Sequence, residues 1–312
     1  MGIETDGDAD SDADTVRRMD NSLARIERVG HRVDVLIDRP EKRNAMNEAV
    51  MVDLTEAFET VGTLDGVRAA TLLGEGPVFW AGMNLGMMRE RVDDPESFDR
   101  EAFPRLLAAI EHCPVPTVAG IERAAPAGAF ELTPPCDFRI LGSDASYGVI
   151  EVGLGTFPHG GATQRLPRLV GLAKAKELVL TGEFIDPEEA KRCGLVTEVI
   201  DPGAVAERTH AFADDLAENA PLGMERAKRA LNGALDTPLD EGLAFERALG
   251  RNSAILGTTV RGSTRVSKAG NRTSRVTDRR AGGLPRRRSR VRNDRSVVQS
   301  GRSMRKRLST AS

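Results

Sequence analysis

The stretch Pro116–Glu151 constrains this chain more than any other. It opens with Thr117-Val118-Ala119, an apolar run of strand character. Small residues follow, Ala124-Ala125-Pro126-Ala127-Gly128-Ala129, and then Phe130-Glu131-Leu132, where nothing prevents a helix from starting. Small side chains let a ligand come close to the backbone, and Gly128 can take angles denied to other residues. Free N–H groups at a helix start suit a developing negative oxygen. Glu131 lies about one helical turn beyond Gly128. A second acid, Glu151, follows the strand-like run Asp137–Leu141. One backbone donor and two carboxylates suit proton movement beside a carbonyl. Pro134-Pro135 interrupts the expected helix, since an interior proline costs ~3 kcal/mol by losing a bond and clashing one turn back. The helix therefore stops by Thr133, or it kinks and displaces Glu131.

The flanking segments alternate strand and helix signals. Leu23–Val29 and Val33–Ile37 alternate apolar and polar residues around Gly30-His31, as a pair of strands would. Asn47 reads as an N-cap, followed by Val50, Leu54, Ala57, Phe58 and Val61 at helical spacing. Val67–Leu73 is expected to be a strand that breaks at Gly74–Pro77 and resumes at Val78-Phe79-Trp80, before Ala81-Gly82-Met83-Asn84-Leu85 turns into a helix. Short helices are expected over Arg89–Arg105, and Leu106–Ile110 reads as a buried helix ended by His112. Gly153–Gly161 is a glycine-dense loop without the form of a nucleotide P-loop. A helix over Leu166–Leu180, an Asp186-capped helix and a strand over Gly194–Ile200 follow. Three helices, Ala204–Asn219, Leu222–Leu235 and Leu239–Leu256, carry apolar stripes read as core or subunit-packing faces.

Composition separates the two ends from this body. Residues 1–22 are polar and Asp-rich, a segment that cannot bury a core and reads as a disordered acidic tail. The last fifty-five residues hold fifteen Arg and two Lys against two Asp, a net +15 in a chain whose total is −3, so the rest carries −18. Such an excess attracts phosphates, but no aromatic residue interleaves it to stack on bases. A shifted reading frame after Gly257 accounts better for residues 258–312 than a nucleic-acid-binding arm. No apolar run is long enough to span a membrane, and the acidic N-terminus is unlike a secretory signal. Cys113, Cys136 and Cys193 lack metal-ligand or disulfide spacing and read as reduced thiols of a cytoplasmic protein; no metal ligand set is expected.

The chain resembles the enoyl-CoA hydratase/isomerase (crotonase) family. The matching pieces, in order, are Arg39–Asn47 (RPEKRNAMN), Phe79–Leu85 (FWAGMNL), Ala127–Leu132 followed by Cys136-Asp137, Glu151–Gly155, Gly161–Leu166 and Leu180-Thr181-Gly182 with Gly194-Leu195-Val196. The resemblance implies an α/β fold, a crotonase-like spiral of ββα repeats over 23–200, with a helical covering and oligomerisation part over 201–257. It implies an acyl-CoA thioester substrate, its carbonyl oxygen between the N–H groups of Met83 and Gly128. Glu131 would be the base that positions water and Glu151 the acid that delivers the α proton. Lys42, Arg43, Ala45, Ala81, Gly82, Asn84 and Leu85 would bind the substrate, with Lys42 and Arg43 near the CoA nucleotide. CoA belongs to the substrate, so no separate cofactor is implied. Both acids favour 2-enoyl-CoA hydration, giving a 3-hydroxyacyl-CoA in acyl-CoA catabolism; an isomerase or another acyl-CoA lyase is the alternative within the family. A catalytically impaired acyl-CoA- or RNA-binding module is the alternative outside it. A homotrimer or hexamer is expected.

Overall fold

The computed structural model describes residues 16–83, 94 and 99–251. Asn84, Leu85, the Asp-rich start, most of the segment expected to hold short helices before Arg105, and the basic segment after Gly257 lie outside these. All described residues belong to one compact unit.

The main sheet has seven strands: β1 (Val16–Arg18), β2 (Ala24–Val29), β3 (Arg32–Ile37), β4 (Ala69–Gly74), β5 (Thr117–Ile121), β7 (Phe138–Gly142) and β9 (Glu198–Ile200), paired in that order. β1–β2–β3 are antiparallel, and the pairings from β3 to β9 are parallel. A second, two-stranded sheet pairs β6 (Ala124–Pro126) with β8 (Ser146–Gly148) in parallel. β1 falls inside the segment read from sequence as a disordered tail, so that segment is not wholly outside the fold. Its turn is fixed by Asp53, whose buried carboxylate accepts from the Asn21 amide N–H at 3.0 Å and the Leu23 N–H at 2.8 Å.

Among the described residues the α-helices are α1 (Glu48–Val61), α2 (Ala102–Glu111), α3 (Gly128–Glu131), α4 (Ala162–Val170), α5 (Leu172–Thr181), α6 (Pro187–Arg192), α7 (Val205–Ala217), α8 (Pro221–Asn232) and α9 (Leu239–Gly250). Asn47 caps α1 through Val50 N–H, and Asp186 caps α6 through Glu189 N–H, as their sequence positions imply. Side chains alternate across the parallel strands. Ala70, Ala119 and Leu141 face the main core with Phe58, Trp80, Phe130 and Tyr147, while Ala69, Val118 and Ile140 meet Val205, Ala213 and Ala217 of α7. Each large side chain fully removed from water contributes roughly 1.5–3 kcal/mol before entropy is counted.

Two local expectations are corrected, and a third loses one of its two alternatives. Val78-Phe79-Trp80 is not a strand: Phe79 and Trp80 N–H instead donate to Glu122 and Ala124 carbonyls, at 2.9 and 3.1 Å, and so reach the second sheet's entrance. The helix expected over Leu166–Leu180 is two helices, because Gly171 at φ 79°, ψ 156° breaks the turn between α4 and α5. The stripe of α9 does not enter the core of this chain. α9 buries none of its residues, and Leu239 and Leu243 are exposed.

Candidate active site

The site is built where the segment after β4 meets the turn between β6 and α3. Asn44 ties the first half together. Its wholly buried amide donates to the carbonyls of Glu75, Val78 and Phe79 at 3.0, 2.8 and 3.2 Å, and its oxygen accepts from Arg39 N–H at 3.0 Å. Arg43, left-handed at φ 50°, offers its carbonyl to Ala81 N–H at 3.0 Å. Met46 N–H bonds the Gly82 carbonyl at 3.1 Å, and the Trp80 indole reaches the same oxygen at 2.6 Å. These bonds lay the 39–46 loop along residues 78–83. Lys42, Arg43, Ala45, Ala81, Gly82 and Met83 therefore share one neighbourhood, with Lys42 and Arg43 exposed. Asn84 and Leu85 fall outside the described residues.

The second half abuts the first at Gly82 and Met83. A Cβ on Gly82 would stand 3.8 Å from Pro126, and one on Gly128 would stand 2.8 Å from the Met83 methyl. Met83 thus lies directly against Gly128, two residues forty-five positions apart. Among the described residues neither N–H has an acceptor. The turn entering α3 depends on Ala127, held at φ 53°, ψ −124°. An alanine is strained there, at a cost of about 1–3 kcal/mol. Its N–H bonds the Gly148 carbonyl at 2.9 Å, and its carbonyl accepts from Glu131 N–H at 3.1 Å.

α3 ends at Glu131, which settles the alternative left by Pro134-Pro135: the helix stops. The Phe130 carbonyl, which loses its helical donor to Pro134, instead accepts from the Thr133 N–H and hydroxyl, both at 2.9 Å. The hydroxyl also meets the Tyr147 phenol at 2.7 Å. Buried Arg139 gathers the carbonyls of Thr133, Cys136 and Leu195. The proline pair is thereby buried without moving Glu131 off its turn.

Glu131 is 3% exposed, and its carboxylate is clamped by backbone. Gly160 N–H lies 2.9 Å from both oxygens, and Ala162 N–H lies 3.0 Å from Oε1. Burial pushes the carboxyl above its usual range, while these two amides and the nearby His159 and Arg165 pull it back. Glu151 heads a short 3-10 turn, Glu151–Leu154, and is also buried, and among the described residues no other residue donates a hydrogen bond to its oxygens. Burial first pushes it up to about 7, its own backbone N–H pulls the other way, and the charge of Glu131 adds a smaller push upward. Two carboxyls in one site thus differ in surroundings: one held as an acceptor by amides, the other left to keep its proton near neutrality. Their titrations are coupled, so these tendencies belong to the pair.

The profile of the enoyl-CoA hydratase/isomerase family matches residues 33–254. The chain belongs to that family. It is 33% identical over 213 residues to the 2,3-dehydroadipyl-CoA hydratase of Escherichia coli, covering 68% of this chain and 83% of that one. It is 32% identical over 226 residues to the short-chain-enoyl-CoA hydratase of Clostridium acetobutylicum, covering 71% and 85%. An enoyl-CoA hydratase structure from Bacillus anthracis superposes with a TM-score of 0.72 at 29% identity, covering 79% of this chain and 96% of that one. The α/β architecture with its C-terminal helices is that of the enoyl-CoA hydratase/isomerase fold.

Sequence reading names Glu131, Glu151, Met83 and Gly128 on the enoyl-CoA hydratase/isomerase pattern; the structure brings Met83 against Gly128 and Glu131 near Glu151, held by residues that the sequence does not single out. Asn44 and Asp53 pass as ordinary polar residues, and the Gly160–Ala162 loop as merely flexible. The backbone clamp on Glu131 has no signature in residue type beyond the glycine at 160, where a Cβ would meet Phe103 at 2.4 Å and Glu131 Oε2 at 2.8 Å. His159 is exposed and bonds the Phe157 carbonyl; His112 caps the end of α2. Two clefts of about 630 and 510 Å³ lie elsewhere, beside α8. Lys228 lines both and pairs with Asp137 at 2.7 Å, so they are seams between α8 and the core rather than a second acid site.

Proposed function

We propose that this chain hydrates 2-enoyl-CoA thioesters to 3-hydroxyacyl-CoA. The observation that carries the reading is the unequal acid pair next to two amides: among the described residues, one carboxylate is clamped by another loop, the other receives no hydrogen bond from another residue, and the two amides have no acceptor. The thioester oxygen would sit between the Met83 and Gly128 N–H groups. Their donation would stabilise the enolate that forms as water adds at C3, one such donor being worth ~2.7–4 kcal/mol. Among the described residues Glu131 Oε2 shares only the Gly160 N–H, and it retains capacity to take a proton from the attacking water. Glu151, which holds its proton near neutrality, would deliver it to the α-carbon. The C3–O bond forms as a water O–H breaks, and the Glu151 proton becomes the new C2–H. Turnover leaves Glu131 protonated and Glu151 ionised, and proton exchange resets both.

Lys42 and Arg43, exposed at the tip of the 39–45 loop, would face the CoA phosphates, with Ala45, Ala81 and Gly82 along the pantetheine. Asn84 and Leu85 remain substrate contacts on the family pattern. Exposed Leu231, Leu235, Leu239 and Phe245 on and between α8 and α9 support a homotrimer or hexamer. The free thiols of Cys113, Cys136 and Cys193 support a reducing, cytoplasmic setting, and the likeness to enoyl-CoA hydratases supports a role in acyl-CoA catabolism there.

Crotonyl-CoA tests the reading through loss of the conjugated thioester's absorbance and uptake of ¹⁸O from labelled water into a 3-hydroxyacyl product. Double-bond migration without ¹⁸O would favour the isomerase instead, since a single proton carrier suffices for it. Binding without turnover would point to an impaired acyl-CoA-binding module.

A further inference from the structure

Glu131 is held by a loop, and the loop is held by a side chain that the proposed chemistry does not use. Arg165, on the first turn of α4, lays its guanidinium across residues 160 and 161. Nη1 donates to the Gly160 carbonyl at 3.2 Å, and Nη2 donates to Glu111 Oε2 at 2.6 Å. The fit is close: a Cβ on Gly161, itself at φ 100°, would stand 2.1 Å from Nη1. The peptide units on either side of Gly160 are therefore fastened in opposite senses. The carbonyl points to Arg165, and the N–H points to Glu131. α2 supports the same loop from both of its ends, with Phe103 beneath Gly160 and Glu111 anchoring the guanidinium.

We infer that Arg165 is a positioning residue: bridged between Glu111 and the Gly160 carbonyl, its planar fork holds the Gly160 and Ala162 N–H groups on the Glu131 carboxylate. A fork of fixed geometry can hold two oxygens at once, which a lysine ammonium on a flexible stem does poorly. The titratable groups around Glu131 are Arg165 from α4, His159 from the preceding loop and Glu151 from the 3-10 turn; Arg165 and His159 favour the Glu131 carboxylate, and that carboxylate in turn raises Glu151. Loss of Arg165 removes a cation and loosens two donors, and both changes disfavour the ionised form. The inference rests on the hydratase reading for its kinetic consequence but not for its geometry.

The full-length chain and its Arg165→Gln, Arg165→Lys and Glu111→Ala variants test it. With crotonyl-CoA, Arg165→Gln is expected to lower kcat about 10²-fold, the scale of a small misplacement of a catalytic group, with KM little changed. The acid limb of the kcat profile moves to higher pH. Glu111→Ala shifts the limb in the same direction, and Arg165→Lys recovers only part of kcat. Wild-type kcat and an unmoved acid limb in Arg165→Gln, or a loss confined to KM, would overturn the inference. If the wild-type chain turns over no enoyl-CoA, the hydratase reading fails, yet the inference is still judged by ¹³C-carboxyl NMR. The Glu131 signal, identified by its loss in Glu131→Gln, should titrate at higher pH in Arg165→Gln and in Glu111→Ala; an unchanged midpoint would overturn it. Should Arg165→Gln not fold, the Arg165→Lys and Glu111→Ala pair decides by the same readouts.

Discussion

Glu151→Gln should abolish a loss of stability that the wild type undergoes as pH rises, even as it removes catalysis. The carboxyl titrates at about 7 in the folded chain against an ordinary value of 4.5. Between those values the folded state holds a proton that the unfolded chain releases. Stability therefore falls as pH rises from 4.5 through 7 and levels off above. Each tenfold difference in proton affinity is worth about 1.4 kcal/mol, so the whole window amounts to roughly 3 kcal/mol. Glutamine keeps the shape of the protonated acid and has nothing to ionise. Its amide enters a spot where no other described residue hydrogen-bonds Glu151, which adds a cost of its own, but that cost does not change with pH. The informative quantity is thus the difference between wild type and variant as a function of pH. Urea unfolding followed by the single tryptophan, fully buried Trp80, measures it. The difference should move in favour of Glu151→Gln by roughly 3 kcal/mol between pH 4.5 and 8, and stay level beyond. A flat difference across that range would refute the burial argument for Glu151 as a retained acid.

Gly160→Ala should impair the clamp directly, because its Cβ would meet Phe103 and Glu131 at 2.4 and 2.8 Å; overpacking of this kind costs about 1–3 kcal/mol in thermal or urea unfolding, and kcat should fall with it. Ala127→Gly should stabilise the chain by about 1 kcal/mol, since only glycine takes φ 53°, ψ −124° without strain; no gain in the unfolding midpoint would contradict the strain. Lys228→Met should cost roughly 3 kcal/mol in urea unfolding by stranding the Asp137 carboxylate. Combining it with Asp137→Asn should cost less, because the Thr117 N–H and hydroxyl, now 2.7 and 3.0 Å from Asp137 Oδ2, can still donate to a neutral amide oxygen there.

The parts of this fold visible in sequence are those with local causes. The hairpin around Gly30-His31, the Asn47 and Asp186 caps and the short turn carrying Glu131 follow from residue type and spacing within a few positions. The Pro134-Pro135 pair is visible as an interruption, but its resolution is not, because it depends on Thr133 finding Tyr147 and on Arg139 reaching carbonyls up to fifty-six residues away. The same limit applies at the site. Two acids can be read from the chain, but not which is clamped, since Glu131 is fixed by amides of residues 160 and 162, and amides leave no mark in a sequence. The stripe on α9 reads as core or interface; only the structure shows that α9 buries none of its residues among the described part of the chain.

The central claim is that Glu131 and Glu151 act as one unit on a single thioester. Turnover of crotonyl-CoA by the wild type, Glu131→Gln, Glu151→Gln and the double variant tests it most directly. Groups that act together lose function non-additively. The account predicts that each single variant is severely slowed while still binding a CoA ester, and that the double variant is about as slow as the worse single one. Losses that multiply, or wild-type turnover in either single variant, would contradict it.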